Sequence, residues 1–305
     1  MGRIFVTGGT GFIGRALCNE LVSRGHDVTV LSRNADKLPH ICGERVHGVS
    51  SFNQLAGVEP FGAVVNLAGE PIFGRRWSPE RKQRLRESRI ELTESLVEAM
   101  SRLAGPPEVL LSGSAIGYYG DQGDRILDES AEGLGTGFSR RLCEDWEHAA
   151  LQAKNLGTRV CLLRTGLVLG PGGGLLERML LSFRAFLGGR LGDGRQWMSW
   201  IHLSDHVAAM CRLLDDPSLD GAFNLTAPNP VTNREFTETL AALLHRPAAL
   251  HTPAWLLNSL FGEMAELLLG SQRVVPRRLV EAGFLFREPS LAGALRACIG
   301  SSSGH

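Results

Sequence analysis

Lysine and tyrosine are scarce in this chain. Its 305 residues include lysine only at positions 37, 82 and 154, and tyrosine only at 118 and 119. A mechanism that needs a fixed ammonium group or a phenol is therefore confined to these few positions. Arginine supplies the remaining positive charge, and Lys plus Arg equals Asp plus Glu at 32 each. This balance gives no indication of nucleic acid or an anionic membrane surface as a partner.

Long apolar runs, leader segments and clustered cysteines are also lacking. No apolar run reaches the roughly 18 residues that span a bilayer, and no basic-then-apolar leader precedes the first predicted strand. The six cysteines form no Cys-x-x-Cys pair and no Cys/His cluster with metal-ligand spacing, so we expect reduced, mostly buried thiols and no metal site. We therefore predict a soluble cytoplasmic protein with a small-molecule substrate and neither a nucleic-acid nor a membrane partner. The oligomeric state is left open, with a homodimer as one candidate.

What the sequence does contain, at its start, is a strand, a glycine-rich turn, a helix and a second strand. Residues 3–6 predict a buried strand. The segment after them predicts an amphipathic helix that ends at about residue 24, and residues 27–33 predict a second strand. The glycines of the turn are spaced three apart. Gly8 allows a tight turn, Gly11 a close approach to a pyrophosphate, and Gly14 close packing of helix on strand. The helix N-terminus offers N–H groups and a partial positive charge to phosphates. The unit is therefore predicted to bind a dinucleotide through Gly8, Thr10, Gly11, Phe12, Ile13 and Gly14.

The end of the second strand carries Ser32 and Arg33. An acidic residue here would accept hydrogen bonds from the ribose hydroxyls of NAD and repel a 2′-phosphate. A guanidinium and a hydroxyl do the reverse, through charge-assisted contacts. The pair therefore favours NADP over NAD, and the alternative is a solvated arginine that merely ends a strand.

Further along the chain, strand and helix patterns alternate, which predicts an α/β fold with a doubly wound parallel sheet. Strands are predicted at 46–49, 63–69, 108–114, 159–171 and 221–225, with helices at 78–103 and around 144–152. Glycine-rich loops bracket a helix at 175–186, a short strand at 200–202 leads into another helix, and further helices are predicted at 233–244, 254–269 and 291–298. We expect residues 1–170 and 200–228 to form the NADP-binding domain, 171–199 and 229–299 a smaller, mainly helical substrate or cap region, and 300–305 a disordered tail.

One histidine and one aspartate near residue 200 invite a functional interpretation. His202 could serve as a catalytic group and Asp205 as a metal ligand. The simpler interpretation, which we favour, is that Ser204 or Asp205 caps the helix that follows.

Several motifs together resemble one family. They are Gly8-x-x-Gly11-x-x-Gly14, Asn66-Leu67-Ala68-Gly69-Glu70-Pro71, Ser88-Arg89, Gly117-Tyr118-Tyr119-Gly120, Val168-x-Gly170-Pro171, Gly192-x-Gly194-x-Gln196, Trp200-Ile201-His202 and Gln272-Arg273-Val274-x-Pro276. Over essentially all of residues 1–298 the chain resembles the epimerase family proteins, relatives of nucleotide-sugar epimerases in the extended branch of the short-chain dehydrogenase/reductase superfamily.

The resemblance implies a Rossmann-type fold, NADP(H) as cofactor and a short C-terminal domain of unassigned role. It places the backbone of Leu67, Ala68 and Gly69 beneath the adenine and ribose, and Arg89 and Val168 beside the cofactor. It also implies that a hydroxyl at the end of the fifth strand, on Ser112 or Ser114, hydrogen-bonds the substrate. The substrate would be a small carbonyl or hydroxyl compound or a nucleotide sugar.

The chain departs from its family at the catalytic pair. Ordinary members carry Tyr-x-x-x-Lys on the helix after the fifth strand, where the lysine lowers the pKa of the tyrosine. That motif is absent here, and if Glu147 matches the acidic residue beyond it, Ser139 and Cys143 occupy the two places. A phenol near its ordinary pKa of about 10 is a poor base at neutral pH.

Three outcomes remain open for the chemistry. Tyr118 or Tyr119 could supply the proton, helped by Arg140 or Arg141 while Ser112 or Ser114 orients the substrate. Hydride transfer could instead proceed slowly, with the proton drawn from solvent. The third outcome is no turnover. The sequence therefore predicts an NADP(H)-binding oxidoreductase or epimerase-like enzyme, with an NADP(H)-responsive regulatory protein as the alternative.

Overall fold

The computed structural model describes residues 2–35, 38, 42, 45–55 and 59–300. Its strands are β1 (Arg3–Thr7), β2 (Asp27–Leu31), β3 (Val46–Val49), β4 (Ala63–Asn66), β5 (Val109–Ala115), β6 (Ile126–Leu127), β7 (Arg159–Thr165), β8 (Leu167–Leu169), β9 (Gly189–Leu191), β10 (Trp197–Met198), β11 (Trp200–His202), β12 (Gly221–Leu225), β13 (Val231–Thr232), β14 (Leu250–Thr252) and β15 (Arg273–Val274).

The helices of the described part follow in chain order. They are α1 (Phe12–Ser23), α2 (Pro79–Arg86), α3 (Leu92–Ser101), α4 (Phe138–Leu151), α5 (Gly174–Arg184), α6 (Leu203–Asp215), α7 (Asn233–Leu244), α8 (Ala254–Phe261), α9 (Glu266–Leu269), α10 (Arg277–Glu281) and α11 (Leu291–Gly300). A π-helical segment, Glu87–Glu91, joins α2 directly to α3. None of the described helices combines the length and hydrophobicity needed to cross a membrane.

Within the described residues, seven strands form one sheet in the order β3-β2-β1-β4-β5-β7-β12, and every pairing is parallel. Residues such as Val64 and Leu110 are fully enclosed because helices cover both faces, as a parallel sheet requires. Side chains alternate between the faces. Val6 packs in the cluster with residues of α1 and α6, whereas Phe5 packs in the cluster with residues of α3. The predicted Rossmann-type fold is confirmed.

The predicted sixth strand, 159–171, is interrupted at Gly166. A Cβ at this position would lie 2.6 Å from the carbonyl oxygen of Ser199, so only glycine allows the backbone to pass there. After it, β8 leaves the large sheet and pairs with β11. The predicted helix 254–269 is likewise broken at Gly262, whose φ of +58° lies in the left-handed region.

The region after β8 contains short strands as well as the predicted helices. β9 pairs with β14, and β10 pairs with β13. Its hydrophobic cluster, which includes Leu176, Phe183, Phe236 and Leu295, is separate from the two clusters that flank the large sheet. Helix α11 continues to Gly300, so that residue is not part of a tail, and residues 301–305 lie outside the described residues.

The start of α6 differs from the predicted cap. The His202 ring nitrogen Nδ1 accepts the N–H of Ser204 at 3.2 Å, so histidine and not Ser204 or Asp205 caps the helix. The buried carboxylate of Asp205 instead accepts the backbone N–H groups of Arg287 at 2.8 Å and Glu288 at 2.9 Å. Asp205 therefore ties the segment before α11 to the sheet domain.

Candidate functional site

A cavity of about 1360 Å³ opens at the carboxyl ends of the parallel strands. Its wall includes the turns that follow β1 and β4, the two strands from which the sheet order proceeds in opposite directions. Ligands of open α/β sheets bind at this switch point. We call the cavity-lining residues from 171–199 and 229–299 the cap wall, and the remaining lining residues the sheet wall.

The glycine turn after β1 forms a close-fitting cradle on the sheet wall. Gly8 has a φ of +72°, and a Cβ on it would lie 2.5 Å from the backbone of Leu67. A Cβ on Gly14 would lie 2.2 Å from the carbonyl oxygen of Gly8. Gly11 precedes α1 and provides no side-chain cap, so the first N–H groups of the helix are left for a ligand. These features fit the pyrophosphate of a dinucleotide.

Most of the predicted cofactor residues reach the cavity. Gly8, Gly11, Phe12, Ile13, Gly14, Leu67, Gly69, Arg89 and Val168 line it. Thr10, Ser32, Arg33 and Ala68 are not on its wall; Thr10 and Arg33 are exposed, while Ser32 and Ala68 are half-buried.

Arg33 nevertheless acts on a cavity residue. Glu70 lies on the sheet wall, and Arg81 donates to its carboxylate at 2.8 Å. This hydrogen bond is the main cause that lowers the pKa of Glu70, and the positive charge of Arg33 lowers it further. The guanidinium of Arg33, predicted to select NADP, is therefore close enough to the cavity to affect the pKa of Glu70 on its wall.

Arg89, predicted to lie beside the cofactor, lies against the turn after β4. Its Nη2 donates to the carbonyl oxygen of Glu70 at 2.9 Å, and its guanidinium is 3.1 Å from the position of a Cβ on Gly69. Burial lowers the pKa of Arg89 to about 10. The side chain is thus held in place by backbone and remains a cation at neutral pH.

At the end of β5 the structure separates the two predicted serines. Ser114 lines the cavity, and its hydroxyl donates to Oε1 of Glu147 at 2.7 Å. Ser112 is fully buried away from the cavity wall, where Nδ2 of Asn66 lies 3.4 Å from its hydroxyl. Neighbouring side chains alternate across a strand, but Ser112 and Ser114 share a face; only Ser114 is close enough to the strand end to reach the cavity.

Glu147 and Arg164 form a buried ion pair behind Ser114. Nε and Nη2 of Arg164 donate to the two carboxylate oxygens, each at 2.9 Å. Burial opposes the charge of Arg164, but the hydrogen bonds and charge of Glu147 outweigh it and raise the pKa of the guanidinium. Sequence reasoning did not assign this pair to the site. The signal was an arginine inside the apolar strand β7, because a buried charge needs a buried partner.

Neither tyrosine is brought to the cavity wall. The Tyr119 hydroxyl donates to Oδ1 of Asn224 at 2.7 Å and accepts from Nη1 of Arg164 at 3.1 Å. Burial raises the pKa of Tyr119 to about 12. The ring of Tyr118 is half-buried and stacks on the guanidinium of Arg164, 3.5 Å from the ring centre. Both phenols are thus parts of the packing around Arg164.

Ser139 and Cys143, which the sequence analysis assigns to the places of the missing tyrosine and lysine, lie one turn apart on α4. Both line the cavity beside Gly117. Burial raises the pKa of the Cys143 thiol to about 12, so the group is neutral. Lys82 also lines the cavity, but its ammonium pairs with Glu263. These side chains therefore form no phenol–ammonium pair.

A further buried residue on the sheet wall was missed by the sequence analysis. His206, in the first turn of α6, lines the cavity, and its Nε2 lies 3.1 Å from the hydroxyl of Thr165. Its Nδ1 has no hydrogen-bond partner among the residues that the structure describes. Burial lowers the pKa of His206 to about 3, so the ring is neutral at physiological pH. No motif marked this position in the sequence.

Comparison with known proteins gives two family matches. Residues 4–225 match the NAD dependent epimerase/dehydratase family, and residues 252–298 match a domain of unknown function, DUF1731. The epimerase family protein MT2273 of Mycobacterium tuberculosis is 43% identical over 299 residues, which is 96% of each chain.

Two solved structures are also similar. The human epimerase family protein SDR39U1, crystallised with NADPH, has a TM-score of 0.87 and 35% identity, with 98% of this chain and 99% of the human chain covered. A nucleoside-diphosphate sugar epimerase from Corynebacterium glutamicum has a TM-score of 0.77 and 32% identity, with 98% of this chain and 58% of that chain covered. The resemblance predicted from the motifs is confirmed.

Proposed function

The chain belongs to the NAD dependent epimerase/dehydratase family, and we propose that it is an NADP(H)-dependent oxidoreductase that acts on a carbonyl or hydroxyl group of a small molecule. One observation carries the proposal. The glycine cradle and the hydroxyl of Ser114 open onto the same cavity, so a dinucleotide and a substrate oxygen can be held side by side.

The cofactor would be held mainly by backbone. The turn from Gly8 to Gly14 would hold the pyrophosphate, and residues 67–69 would lie beneath the adenosine. Ser32 and Arg33 would bind the 2′-phosphate, because a guanidinium pairs with phosphate through charge-assisted hydrogen bonds. The NADPH in the similar human protein supports this choice. When bound, NADPH supplies a hydride to an electrophilic carbon.

Ser114 would orient the substrate rather than act as a strong acid. Its proton is committed to Glu147, so its oxygen is available to accept a hydrogen bond from a substrate hydroxyl. Arg164 donates two hydrogen bonds to that carboxylate and so fixes the oxygen to which Ser114 donates, which keeps Ser114 in the accepting orientation. With both tyrosines away from the wall, the substrate proton exchanges with solvent. We expect a slow reaction, in which positioning provides most of the catalysis.

The second candidate function is an NADP(H)-responsive regulatory protein without turnover. The presence of Ser139 and Cys143 in place of the proton-transferring pair favours it. Oxidation of NADPH by a panel of small carbonyl compounds separates the two. Turnover that is slowed in Ser114→Ala supports the oxidoreductase, whereas tight NADPH binding without any oxidation supports the regulatory protein.

The organisation of the chain is part of the proposal. We propose that residues 1–170 and 200–228 form the cofactor domain and that 171–199 and 229–299 form the substrate or cap region. The hydrophobic cluster around Phe183 and Phe236 supports this division, because most of its members lie within 171–199 and 229–299. The cytoplasmic location and the oligomeric state stay predictions.

The test is the affinity for the two cofactors, measured by calorimetry. We expect NADPH to bind more tightly than NADH by about 10- to 100-fold, the range that one or two charge-assisted hydrogen bonds provide. Arg33→Asp should abolish or reverse this preference. Arg296→Asp makes the same charge change at an exposed position on α11 and should leave it intact. Equal affinities of the unmodified protein for both cofactors would overturn the proposal.

A further inference from the structure

The cap wall contributes no cation to the cavity. Of the described residues that line it, those from 171–199 and 229–299 include no lysine, arginine or histidine. Their apolar side chains include Leu175, Met179, Phe183, Leu187, Met198 and Leu268. Two glutamates, 263 and 266, supply its only charges among these residues. Any phosphate placed against this wall would meet apolar surface and negative charge.

Three amide side chains of the cap wall are hydrogen-bonded within the protein itself. Nε2 of Gln196 donates to the carbonyl oxygens of Leu191 and Leu268, at 3.1 and 3.0 Å. Nε2 of Gln272 donates to two carbonyl oxygens of the turn after β5. Oδ1 of Asn233 accepts the N–H of Leu191 at 2.9 Å. These amides build the wall and are not available as anion-binding donors.

Helix N-termini are the usual alternative to cations as phosphate sites. At α7, which also begins on the cavity wall, the hydroxyl of Thr232 already accepts the N–H of Glu235 at 3.2 Å. Helices α4 and α5 begin there as well. The N-terminus of α4 is already occupied by a carboxylate, because Oε1 of Glu266 accepts the N–H of Ser139 at 3.0 Å. The N-terminus of α5 is covered by a ring, since a Cβ on Gly173 would lie 2.5 Å from Phe12. Both sites are therefore filled from within the chain.

On the sheet wall, most cations are bonded within the protein. Lys82 pairs with Glu263, Arg140 pairs with Glu144 at 3.3 Å, and the guanidinium of Arg89 donates to the carbonyl oxygen of Glu70. Arg141 is exposed on the first turns of α4. A single exposed guanidinium leaves the second charge of a diphosphate without a partner.

From this distribution of charge we infer that the substrate is an uncharged, apolar carbonyl compound or the corresponding alcohol, and not a nucleotide sugar. The inference rests on the proposed function and specifies its substrate class. A nucleotide sugar carries a diphosphate, and desolvating that group without cations or free helix N–H groups is strongly unfavourable. The alcohol form needs only one hydrogen bond, which its hydroxyl donates to the oxygen of Ser114. Both the alcohol and the ketone gain from burial of their alkyl or aryl groups against the apolar cap wall.

The experiment uses binding as well as turnover. The probe is the neutral apolar dye N-phenylnaphthylamine, whose fluorescence rises on burial, measured with the full chain in the presence and absence of NADPH. Competitors are a series of methyl ketones of increasing chain length and UDP-glucose. Each added methylene should strengthen displacement of the dye about fourfold, which corresponds to about 0.8 kcal/mol per buried CH₂. UDP-glucose should not displace it. NADPH oxidation should follow the same order of ketones.

Variants locate the binding to the cap wall. Leu268→Lys places a cation on this wall and should weaken ketone binding at least tenfold, whereas Leu285→Lys changes a leucine that is 87% exposed and should have no effect. Arg141→Ala should also leave ketone binding unchanged. Displacement of the dye by UDP-glucose, loss of that displacement in Arg141→Ala, or failure of the dye to bind would each overturn the inference. Failure of NADPH to bind, with dye displacement intact, would instead count against the proposed function alone.

Discussion

The two walls of the cavity are built on different principles. The sheet wall presents backbone at the cofactor cradle, where glycines such as Gly8 and Gly14 leave no space for a side chain, and it is supported by a buried ion pair between Glu147 and Arg164. The cap wall presents apolar side chains, and its glutamate 266 is a half-buried carboxylate that caps a helix of the other wall.

The contrast indicates where specificity can change. A backbone cradle is fixed by sterics and recognises a phosphate that every dinucleotide has. An apolar wall recognises only the size and shape of a substrate, and one methylene more or less on the substrate alters its affinity by a modest factor. The sheet wall is therefore suited to a constant cofactor, and the cap wall to a substrate that can differ among relatives.

The largest effect expected is from the carboxylate behind the sheet wall. Glu147→Ala leaves the buried guanidinium of Arg164 without its partner, and removing one member of a buried pair costs about 3–5 kcal/mol. Urea unfolding measures the loss. Glu98→Ala, which breaks an exposed pair with Arg102 on α3, should cost less than about 1 kcal/mol. A similar cost for both variants would contradict the view that the sheet wall depends on this pair.

The next effect is a dependence of stability on pH, which is smaller than the loss from Glu147→Ala for each pH unit. Burial lowers the pKa of His206 to about 3 in the folded chain, while the unfolded chain titrates near its ordinary value of about 6.5. Between these values the unfolded state binds more protons, so stability falls as the pH is lowered, by about 1.4 kcal/mol per pH unit. His206→Gln should remove this contribution. Unfolding free energies measured from neutral to acid pH would show equal slopes for both proteins if the prediction is wrong.

The smallest effect concerns the contact between the walls. Glu266→Ala removes the acceptor for the N–H of Ser139, and loss of a helix cap costs about 1 kcal/mol. Glu238→Ala, on the exposed face of α7, is the control and should change little. A loss from Glu266→Ala as large as that from Glu147→Ala would show that the cap wall holds the sheet wall together, which would remove the distinction between them.

Much of the fold could be predicted from the sequence, because its signals are local. Strands β1, β2 and β3 and helix α1 follow from apolar runs and turn glycines, and their observed bounds differ from the predicted ones by only a few residues. The break at Gly166 could not be predicted, since the carbonyl oxygen that forbids a side chain there belongs to Ser199, far along the chain. The predicted cap of α6 was wrong for a similar reason. The carboxylate of Asp205 is bound instead by the backbone of a segment more than eighty residues away.

The candidate site divides in the same way. The cofactor cradle could be predicted from the sequence, because the spacing of its glycines indicates the backbone geometry directly. The orientation of the two tyrosines could not be predicted, because their side chains pack on Arg164, which lies forty-five residues beyond Tyr119. The role of Ser114 could be named from its place at the end of β5, but its partner Glu147 is on a different element.

The sequence by itself determined the order of strands and helices, the glycine cradle and the absence of a Tyr-x-x-x-Lys pair, since each depends on neighbouring residues. Only the tertiary structure decided which hydroxyl faces the cavity, which charges are neutralised within the chain and which wall carries no cation. Each of those properties depends on residues that are distant in sequence, because burial and ion pairing are fixed only when the helices and strands pack together.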